Sequence, residues 1–173
     1  GNCVNYNSII ALKHNNTGRF LSSTNQNYNS GSNQQQIYCN QWNVSNNERW
    51  EVLPSFQGGG NGPVQYNQRI RLRHCATGRQ LHSHGNINSP VSQYQEVSGY
   101  GNQNQSDNND DWILEKFSYN GNKEGGNWNV NDAFCLKHAN TGLYLFSHDR
   151  NFNSGTEVAC YGNGNDENNK WRL

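Results

Sequence analysis

Residues 72–85, LRHCATGRQLHSHG, concentrate the side chains of this chain that could do chemistry: three histidines, two arginines and one cysteine. His74, His82 and His84 could bind a metal ion or transfer protons, because imidazole is a common metal ligand and titrates near neutral pH. Cys75 could act as a nucleophile if one of these rings accepted its proton. Whether the groups converge depends on the secondary structure that carries them.

This stretch is one of three copies of a single sequence frame. The copies are ALKHNNTGRFLSS (11–23), RLRHCATGRQLHS (71–83) and CLKHANTGLYLFS (135–147). Each is followed by a second strand-like segment and ends on a tryptophan. The recurring His, Gly and Trp residues are His14, His74, His138, Gly18, Gly78, Gly142, Trp50, Trp112 and Trp171. Near-equal spacing of the copies indicates three structural units that bury their apolar faces together.

Within each unit the apolar residues alternate with period two, as in half-buried strands. In the second unit Ile70, Leu72 and His74 share one face, and Arg73 lies on the other. The Thr-Gly pair that follows favours a tight hairpin, since glycine adopts positive φ freely. Four short strands in each unit give about twelve, so we predict an all-β protein, a β-trefoil with pseudo-threefold symmetry.

We predict a single domain over residues 1–173. Its repeats span 5–54, 66–116 and 131–173, and the Gly- and Asn-rich segments 54–68 and 116–132 are interpreted as loops between them. Although only 31% of the residues are hydrophobic, 12% are aromatic and the net charge is +0, which favours a folded domain over a disordered chain. The same charge balance gives no basis for nucleic-acid or anionic-membrane partners, and no apolar run is long enough for a membrane span.

The segments LRHCATGRQLHSH, QEVSGYG and DNNDDW resemble the MIR repeat. That repeat occurs in protein O-mannosyltransferases, in the inositol trisphosphate and ryanodine receptors, and in stromal cell-derived factor 2. The resemblance covers nearly the whole chain and is strongest to the stromal cell-derived factor 2 group. It implies a β-trefoil and, for that group, a role in the endoplasmic reticulum beside a J-domain co-chaperone and an Hsp70.

From this resemblance we predict a non-catalytic module of the secretory pathway, in the endoplasmic reticulum lumen or secreted, that assists protein folding and glycoprotein quality control. The expected partners are proteins, including the J-domain and Hsp70 pair, and mannose-type glycans. Two alternatives stay open: a MIR domain excised from an O-mannosyltransferase, and a soluble lectin. Because the chain contains no Met, we expect a processed or excised piece. Its C-terminal NKWRL carries no retention signal.

No catalytic residue, metal or cofactor is predicted. His14, His74 and His138 each end a strand beside a Thr-Gly turn, so backbone and turn hydrogen bonds are favoured over a three-histidine metal site on the symmetry axis. The acidic stretches 106–111 and 165–169 lack the alternating oxygen ligands of a calcium loop. We expect the Asn three residues before each final tryptophan to form an Asx turn instead; these are Asn47, Asn109 and Asn168.

Candidate ligand contacts are the residues that depart from the frame or lie outside it: Arg79, His82, His84, His148, Trp42 and Trp128. His82 and His84 share a strand face and could contact one ligand, or form a solvated pair. Trp42 and Trp128 lie in Asn- and Gly-rich loops, where an exposed aromatic ring can stack on a sugar or peptide, or can instead anchor the loop.

Five cysteines and three N-glycosylation sequons complete the candidate residues. An odd number of cysteines leaves at least one free; Cys135 could pair with Cys160, and Cys3 with Cys39, but spacing does not decide the pairing. The sequons begin at Asn15, Asn43 and Asn104 and favour a secretory context.

Overall fold

The computed structural model describes residues 2–173, which form thirteen β-strands joined by loops and short 3-10 helices. The strands are β1 (Ile9–Ile10), β2 (Lys13–His14), β3 (Leu21–Asn27), β4 (Gln35–Cys39), β5 (Trp50–Pro54), β6 (Arg69–His74), β7 (Gln80–Asn88), β8 (Gln95–Tyr100), β9 (Trp112–Lys116), β10 (Phe134–His138), β11 (Leu145–Phe152), β12 (Gly155–Cys160) and β13 (Trp171–Arg172). A 3-10 helix precedes the last strand of each repeat, at Asn46–Glu48, Asn108–Asp110 and Glu167–Asn169. Over residues 2–173, no helix has the length and apolar character needed to cross a membrane.

Six strand positions close into a barrel. Antiparallel pairing runs from β1 to β5, β6, β9, β10, β13 and then β2. Since β1 and β2 are the two halves of one interrupted first strand, this path returns to its starting point. The interruption also explains why thirteen strands are found where about twelve were expected. A closed barrel leaves no open strand edge.

Three hairpins, β3–β4, β7–β8 and β11–β12, cover one end of the barrel. Their second strands, β4, β8 and β12, pair with one another, so the hairpins form a ring. Barrel and hairpin ring together are the predicted β-trefoil, which is confirmed.

The core is built from the repeated tryptophans and the apolar strand positions between them. Trp50, Trp112 and Trp171 are fully buried. Their indole nitrogens donate to the carbonyl oxygens of Leu21, Leu81 and Leu145, at 3.1, 3.0 and 3.2 Å. Each tryptophan therefore connects the last strand of its repeat to the hairpin of the same repeat.

Backbone hydrogen bonds close the opposite end of the barrel. Val4 N donates to Trp128 O at 2.9 Å, Trp128 N to Val64 O at 2.8 Å, and Val64 N to Val4 O at 2.9 Å. Trp128 is thus the third-repeat counterpart of Val4 and Val64, and its side chain is fully buried against Phe134, with ring centroids 5.0 Å apart. The prediction that Trp128 contacts a ligand is wrong, because this ring anchors its loop in the core.

Each hairpin loop is held by a buried residue of the next repeat. Ser32 in the first loop donates its backbone N–H to the Glu96 carboxylate at 3.3 Å. The second loop donates to the Glu157 carboxylate from Val91 N at 3.1 Å and Ser92 N at 2.9 Å. The third loop closes the circle, because Asn153 Nδ2 donates to Gln36 Oε1 at 2.6 Å. The hairpin loop of each repeat is therefore held in place only when the neighbouring repeat is folded.

All five cysteines are free thiols in the described structure, so neither pairing considered above is present. Cys39 lies opposite Leu21, Cys135 opposite Glu115 and Cys160 opposite Leu145 in the sheet. Burial raises the pKa of each of these three thiols to about 12, so they stay protonated and unreactive at neutral pH.

Candidate functional site

The three frame histidines link consecutive repeats. His14 Nδ1 lies 2.9 Å from Thr17 Oγ1, and its Nε2 lies 3.0 Å from the carbonyl oxygen of Asn168 in the third repeat. A carbonyl only accepts hydrogen bonds, so Nε2 carries the proton and Nδ1 accepts from the threonine hydroxyl. The same geometry recurs in His74 with Thr77 and Asn47, and in His138 with Thr141 and Asn109.

These rings are uncharged structural groups. Burial lowers the pKa of His14 and of His138 to about 4, and it also lowers the pKa of His74. Each ring also packs against a core tryptophan with centroids 4.9 Å apart. Because both ring nitrogens are already hydrogen-bonded, none of the three presents a free nitrogen to a metal ion or a substrate.

The turns before the last strands lie where they were expected, but other side chains form them. The capping side chains belong to Ser45, Asp107 and Asp166, two residues before the predicted asparagines. Each accepts a hydrogen bond from the backbone N–H of Asn47, Asn109 or Asn168. The asparagines instead contribute their backbone carbonyls to the frame histidines. The prediction that asparagine side chains cap these turns is therefore wrong, although the turns lie at the predicted place.

His82 is buried and contacts the carboxylate of Asp110. Its Nδ1 lies 2.7 Å from Asp110 Oδ1, and its ring packs on Tyr100 with centroids 4.6 Å apart. Among the described residues, His82, Asp107 and Asp110 are the one group that brings three possible metal ligands within 4.8 Å of one another. The second Asp110 oxygen accepts hydrogen bonds from Ser106 Oγ and Asp107 N, so hydrogen bonding within the turn accounts for this cluster.

The solvated pair considered for His82 and His84 does not form. His84 is exposed, with its Nδ1 2.7 Å from the Gly85 carbonyl, whereas His82 lies beneath the surface.

The other candidate side chains of this stretch are Arg79 and Cys75. Arg79 donates from Nη1 to the Gly101 carbonyl at 3.0 Å. Partial burial of the Cys75 thiol and the nearby Glu51 carboxylate raise its pKa, so this cysteine is not an activated nucleophile. The opening stretch thus distributes its side chains over separate environments.

Trp42 is the most exposed tryptophan, with 61% of its surface accessible. Its indole N–H donates to the Thr17 carbonyl at 3.0 Å, and the Arg19 guanidinium lies 4.0 Å above its ring. The indole N–H of Trp42 therefore anchors the loop, and the exposed ring is partly covered by the Arg19 guanidinium. Its predicted contact with a ligand stays a prediction.

His148 belongs to an aromatic cluster that the sequence did not reveal. Its Nε2 lies 2.8 Å from Glu157 Oε1, and its ring packs edge-on against Phe146 at 5.0 Å. Phe146 also packs edge-on against Tyr94 at 5.7 Å and against Tyr161 at 5.3 Å. Tyr94 and Tyr161 are stacked face to face at 3.9 Å across the junction of repeats 2 and 3. We call Tyr94, Phe146, His148 and Tyr161 the aromatic cluster.

A surface groove with a volume of about 660 Å³ lies where the three repeats meet. Its walls are uncharged, and they consist of amide, hydroxyl and small side chains with one tyrosine: Thr24, Asn25, Gln26, Tyr38, Asn47, Ala76, Thr77, Asn153 and Ser154. Such walls offer hydrogen-bond donors and acceptors without a fixed charge, and they suit a neutral polar ligand or an extended backbone.

Comparison with known proteins adds the family. The family model described as the MIR domain matches residues 11–171. The chain belongs to the MIR domain family. This match extends through all three repeats, and it agrees with the resemblance of the frame residues.

The curated relatives fall into two groups. A stromal cell-derived factor 2-like protein of Arabidopsis thaliana is 33% identical over 164 residues, covering 91% of this MIR chain and 72% of the relative. Dolichyl-phosphate-mannose–protein mannosyltransferase 1 of Candida albicans is 36% identical over 156 residues, covering 83% of this chain but only 17% of that enzyme. The crystal structure of the SDF2-like protein from Arabidopsis superimposes with a TM-score of 0.89 at 32% identity, covering 98% of this chain and 93% of that one.

Proposed function

We propose that this MIR module works in the secretory pathway as a non-catalytic accessory of protein folding and glycoprotein quality control. The observation that carries the proposal is the similarity to a stromal cell-derived factor 2-like protein over most of both chains. The uncharged groove where the three repeats meet supports it, because such walls suit polypeptide and glycan rather than nucleic acid or an anionic lipid. The proposed partners are a J-domain co-chaperone, an Hsp70 and mannose-type glycans.

The proposed chaperone contact is tested by capture on the immobilised, folded chain from a lysate of secretory compartments, followed by probing for the Hsp70 and the J-domain protein. Hsp70 also binds unfolded polypeptide, so a destabilised variant, Trp112→Ala, serves as the control. Recovery of both proteins that falls with this substitution supports a contact through the folded surface. If recovery rises, Hsp70 recognises unfolded chain and the proposal is contradicted.

The second candidate function is that of the MIR domain of a protein O-mannosyltransferase. The observation that favours it is the 36% identity to the Candida enzyme, of which the chain spans only 17%. The sequence of the full gene separates the two candidates. Many hydrophobic spans beside the MIR repeats would support the enzyme, and a short precursor with a signal peptide would support the accessory protein.

The structure also distinguishes the three sequons, which yields a prediction about the secretory environment. Asn43 and Asn104 are exposed in loops. The Asn15 amide is instead held between repeats, since its Nδ2 donates to Glu167 Oε1 at 3.1 Å and its Oδ1 accepts from Arg172 Nε at 2.9 Å. A glycan added to Asn15 of the nascent chain would displace both contacts and keep the barrel from closing. We therefore expect the folded, secreted fraction from eukaryotic cells to carry glycans at Asn43 and Asn104 and none at Asn15.

Glycopeptide mass spectrometry measures this occupancy directly. Asn43→Gln and Asn104→Gln should each remove one glycan, as seen by electrophoretic mobility, whereas Asn15→Gln should leave the pattern unchanged. A glycan on Asn15 in folded, secreted protein would contradict the inference from its hydrogen bonds. Absence of glycan at all three positions would count against passage through the secretory pathway.

A further inference from the structure

The third repeat departs from the other two at one surface position. Repeats 1 and 2 place an arginine after the Thr-Gly turn, and its guanidinium binds a loop carbonyl of the same repeat: Arg19 to Asn40 at 2.7 Å and Arg79 to Gly101 at 3.0 Å. The third repeat has Leu143 at this position. Leucine has no guanidinium to cover the loop, so the equivalent space in repeat 3 stays open.

This open space is a groove of about 500 Å³, which we call the Tyr161 groove. It is lined by Leu143, Tyr161, Gly162, Asn163, Asn165 and Asp166. Tyr161 has 45% of its surface exposed, and Leu143 is partly buried against the core. The groove therefore has an aromatic wall, an apolar floor that belongs to the fold, and a polar rim.

The aromatic wall is fixed in place before any ligand arrives. One face of Tyr161 stacks on Tyr94 with an interplanar angle of 16°, and Phe146 packs against both rings. The Tyr161 backbone N–H donates to the Tyr144 carbonyl at 2.8 Å. A ring held by two aromatic neighbours and a backbone hydrogen bond loses little conformational entropy on binding.

The rim offers directed hydrogen bonds without positive charge. Asn163 and Asn165 each carry an amide donor and acceptor, and Asp166 uses one carboxylate oxygen, Oδ1, to cap Asn168 N at 2.8 Å. A pyranose ring presents C–H bonds on its faces and hydroxyls at its edges. The C–H bonds suit the electron-rich face of a tyrosine, and the hydroxyls suit amides and a carboxylate. A phosphorylated ligand would instead meet the Asp166 charge with no cation in the lining.

We propose that the Tyr161 groove binds a hexopyranose residue of a neutral glycan, with the sugar stacked on Tyr161 and its hydroxyls bonded to Asn163, Asn165 and Asp166. The inference deepens the proposed function, on which it rests, by giving the glycan a site in the third repeat. Trp42 and Tyr119, each 61% exposed, are weaker candidates. The Arg19 guanidinium already lies over the Trp42 ring, and the Lys170 ammonium lies 5.0 Å from the Tyr119 ring.

Saturation-transfer NMR and titration calorimetry with α-mannobiose and lactose test the proposal. Tyr161→Ala should weaken binding about tenfold or more, since it removes the stacking surface. Leu143→Arg introduces the residue that the other two repeats carry at this position, so it should fold normally, fill the groove and abolish saturation transfer. Circular dichroism and thermal unfolding show whether each variant is folded.

Trp42→Ala is the matched control, because it removes an exposed aromatic ring outside the groove and should leave sugar binding unchanged. The proposal is overturned if neither sugar binds at millimolar concentration, if a folded Leu143→Arg protein binds as well as the unaltered chain, or if Trp42→Ala alone abolishes binding. Chaperone capture is a separate readout. Successful capture without sugar binding removes only this inference, and sugar binding without capture removes only the chaperone role.

Discussion

Replacing Trp112 with alanine is expected to lower the free energy of unfolding by about 3–5 kcal/mol. The indole is fully buried, donates to the Leu81 carbonyl at 3.0 Å and packs 4.9 Å from the His138 ring. Its removal leaves a cavity between two repeats, an unpaired carbonyl oxygen and a frame histidine without its packing partner. All three effects act in the same direction.

Urea denaturation followed by far-ultraviolet circular dichroism measures the change, with the slope of the transition checked for two-state behaviour. Trp42→Ala is the control, because that side chain is 61% exposed. We expect it to change the free energy of unfolding by at most about 1 kcal/mol, through its exposed cation–π contact. Equal losses in the two variants would contradict the assignment of Trp112 to the core.

Glu157→Gln is expected to lower the free energy of unfolding by about 3 kcal/mol at neutral pH, because it weakens several hydrogen bonds to one buried carboxylate. Ser89 Oγ, Val91 N and Ser92 N all donate to this group, which is 2% exposed, and His148 contacts its other oxygen at 2.8 Å. Glutamine keeps one acceptor oxygen and turns an amide N–H₂ group toward these donors. Chemical denaturation at pH 7 measures the effect.

The pH dependence of this difference follows from the pKa of Glu157. Burial alone raises that pKa, but the hydrogen bonds from Ser89, Ser92 and His148 together outweigh it and hold the folded-state value below the ordinary one. The stabilisation is therefore complete above the ordinary carboxyl pKa and is lost as the pH falls through the folded-state value. The stability gap between the unaltered chain and Glu157→Gln should be widest at neutral pH and should narrow in acid.

Glu96 provides the matched control, since it holds the first hairpin loop as Glu157 holds the second. Its folded-state pKa lies above the ordinary value, because burial outweighs the hydrogen bonds from Ser32. The charged form of Glu96 therefore lowers stability at neutral pH, and protonation in acid restores it. Glu96→Gln should cost less than Glu157→Gln at pH 7, and its gap to the unaltered chain should move in the opposite direction in acid. Parallel pH profiles for the two variants would contradict these assignments.

The sequence predicted the architecture because the frame appears three times. Any one copy could be read as a strand or a short helix, but Leu72, His74 and their counterparts alternate in the same way in all three copies, and this alternation defines the buried face of the strands.

Trp128 was misassigned because its loop is rich in Gly and Asn, which hid a weaker repeated pattern. CVNYN (3–7), PVQYN (63–67) and NWNVN (127–131) share one spacing, and it places Trp128 with Val4 and Val64.

The candidate site was less predictable for a physical reason. The aromatic cluster joins Tyr94 of repeat 2 to Tyr161 of repeat 3, and residues so far apart meet only when the repeats pack. One signal was available in the sequence, because Leu143 replaces the arginine of the other two copies. What such a replacement opens depends on the neighbouring loop, and that becomes visible only in three dimensions.

The pairing of β2 with β13 has a consequence for biosynthesis. His14 is bonded to the backbone of Asn168 and lies opposite Trp171, so the second half of the first barrel strand finds its partner only at the end of the third repeat. A nascent chain emerging from the ribosome can assemble its hairpins one by one, but it cannot complete the barrel before those residues emerge. Folding of this domain is therefore completed only once the whole third repeat has left the ribosome, and a chain stalled or shortened before that point would expose the barrel interior to chaperones.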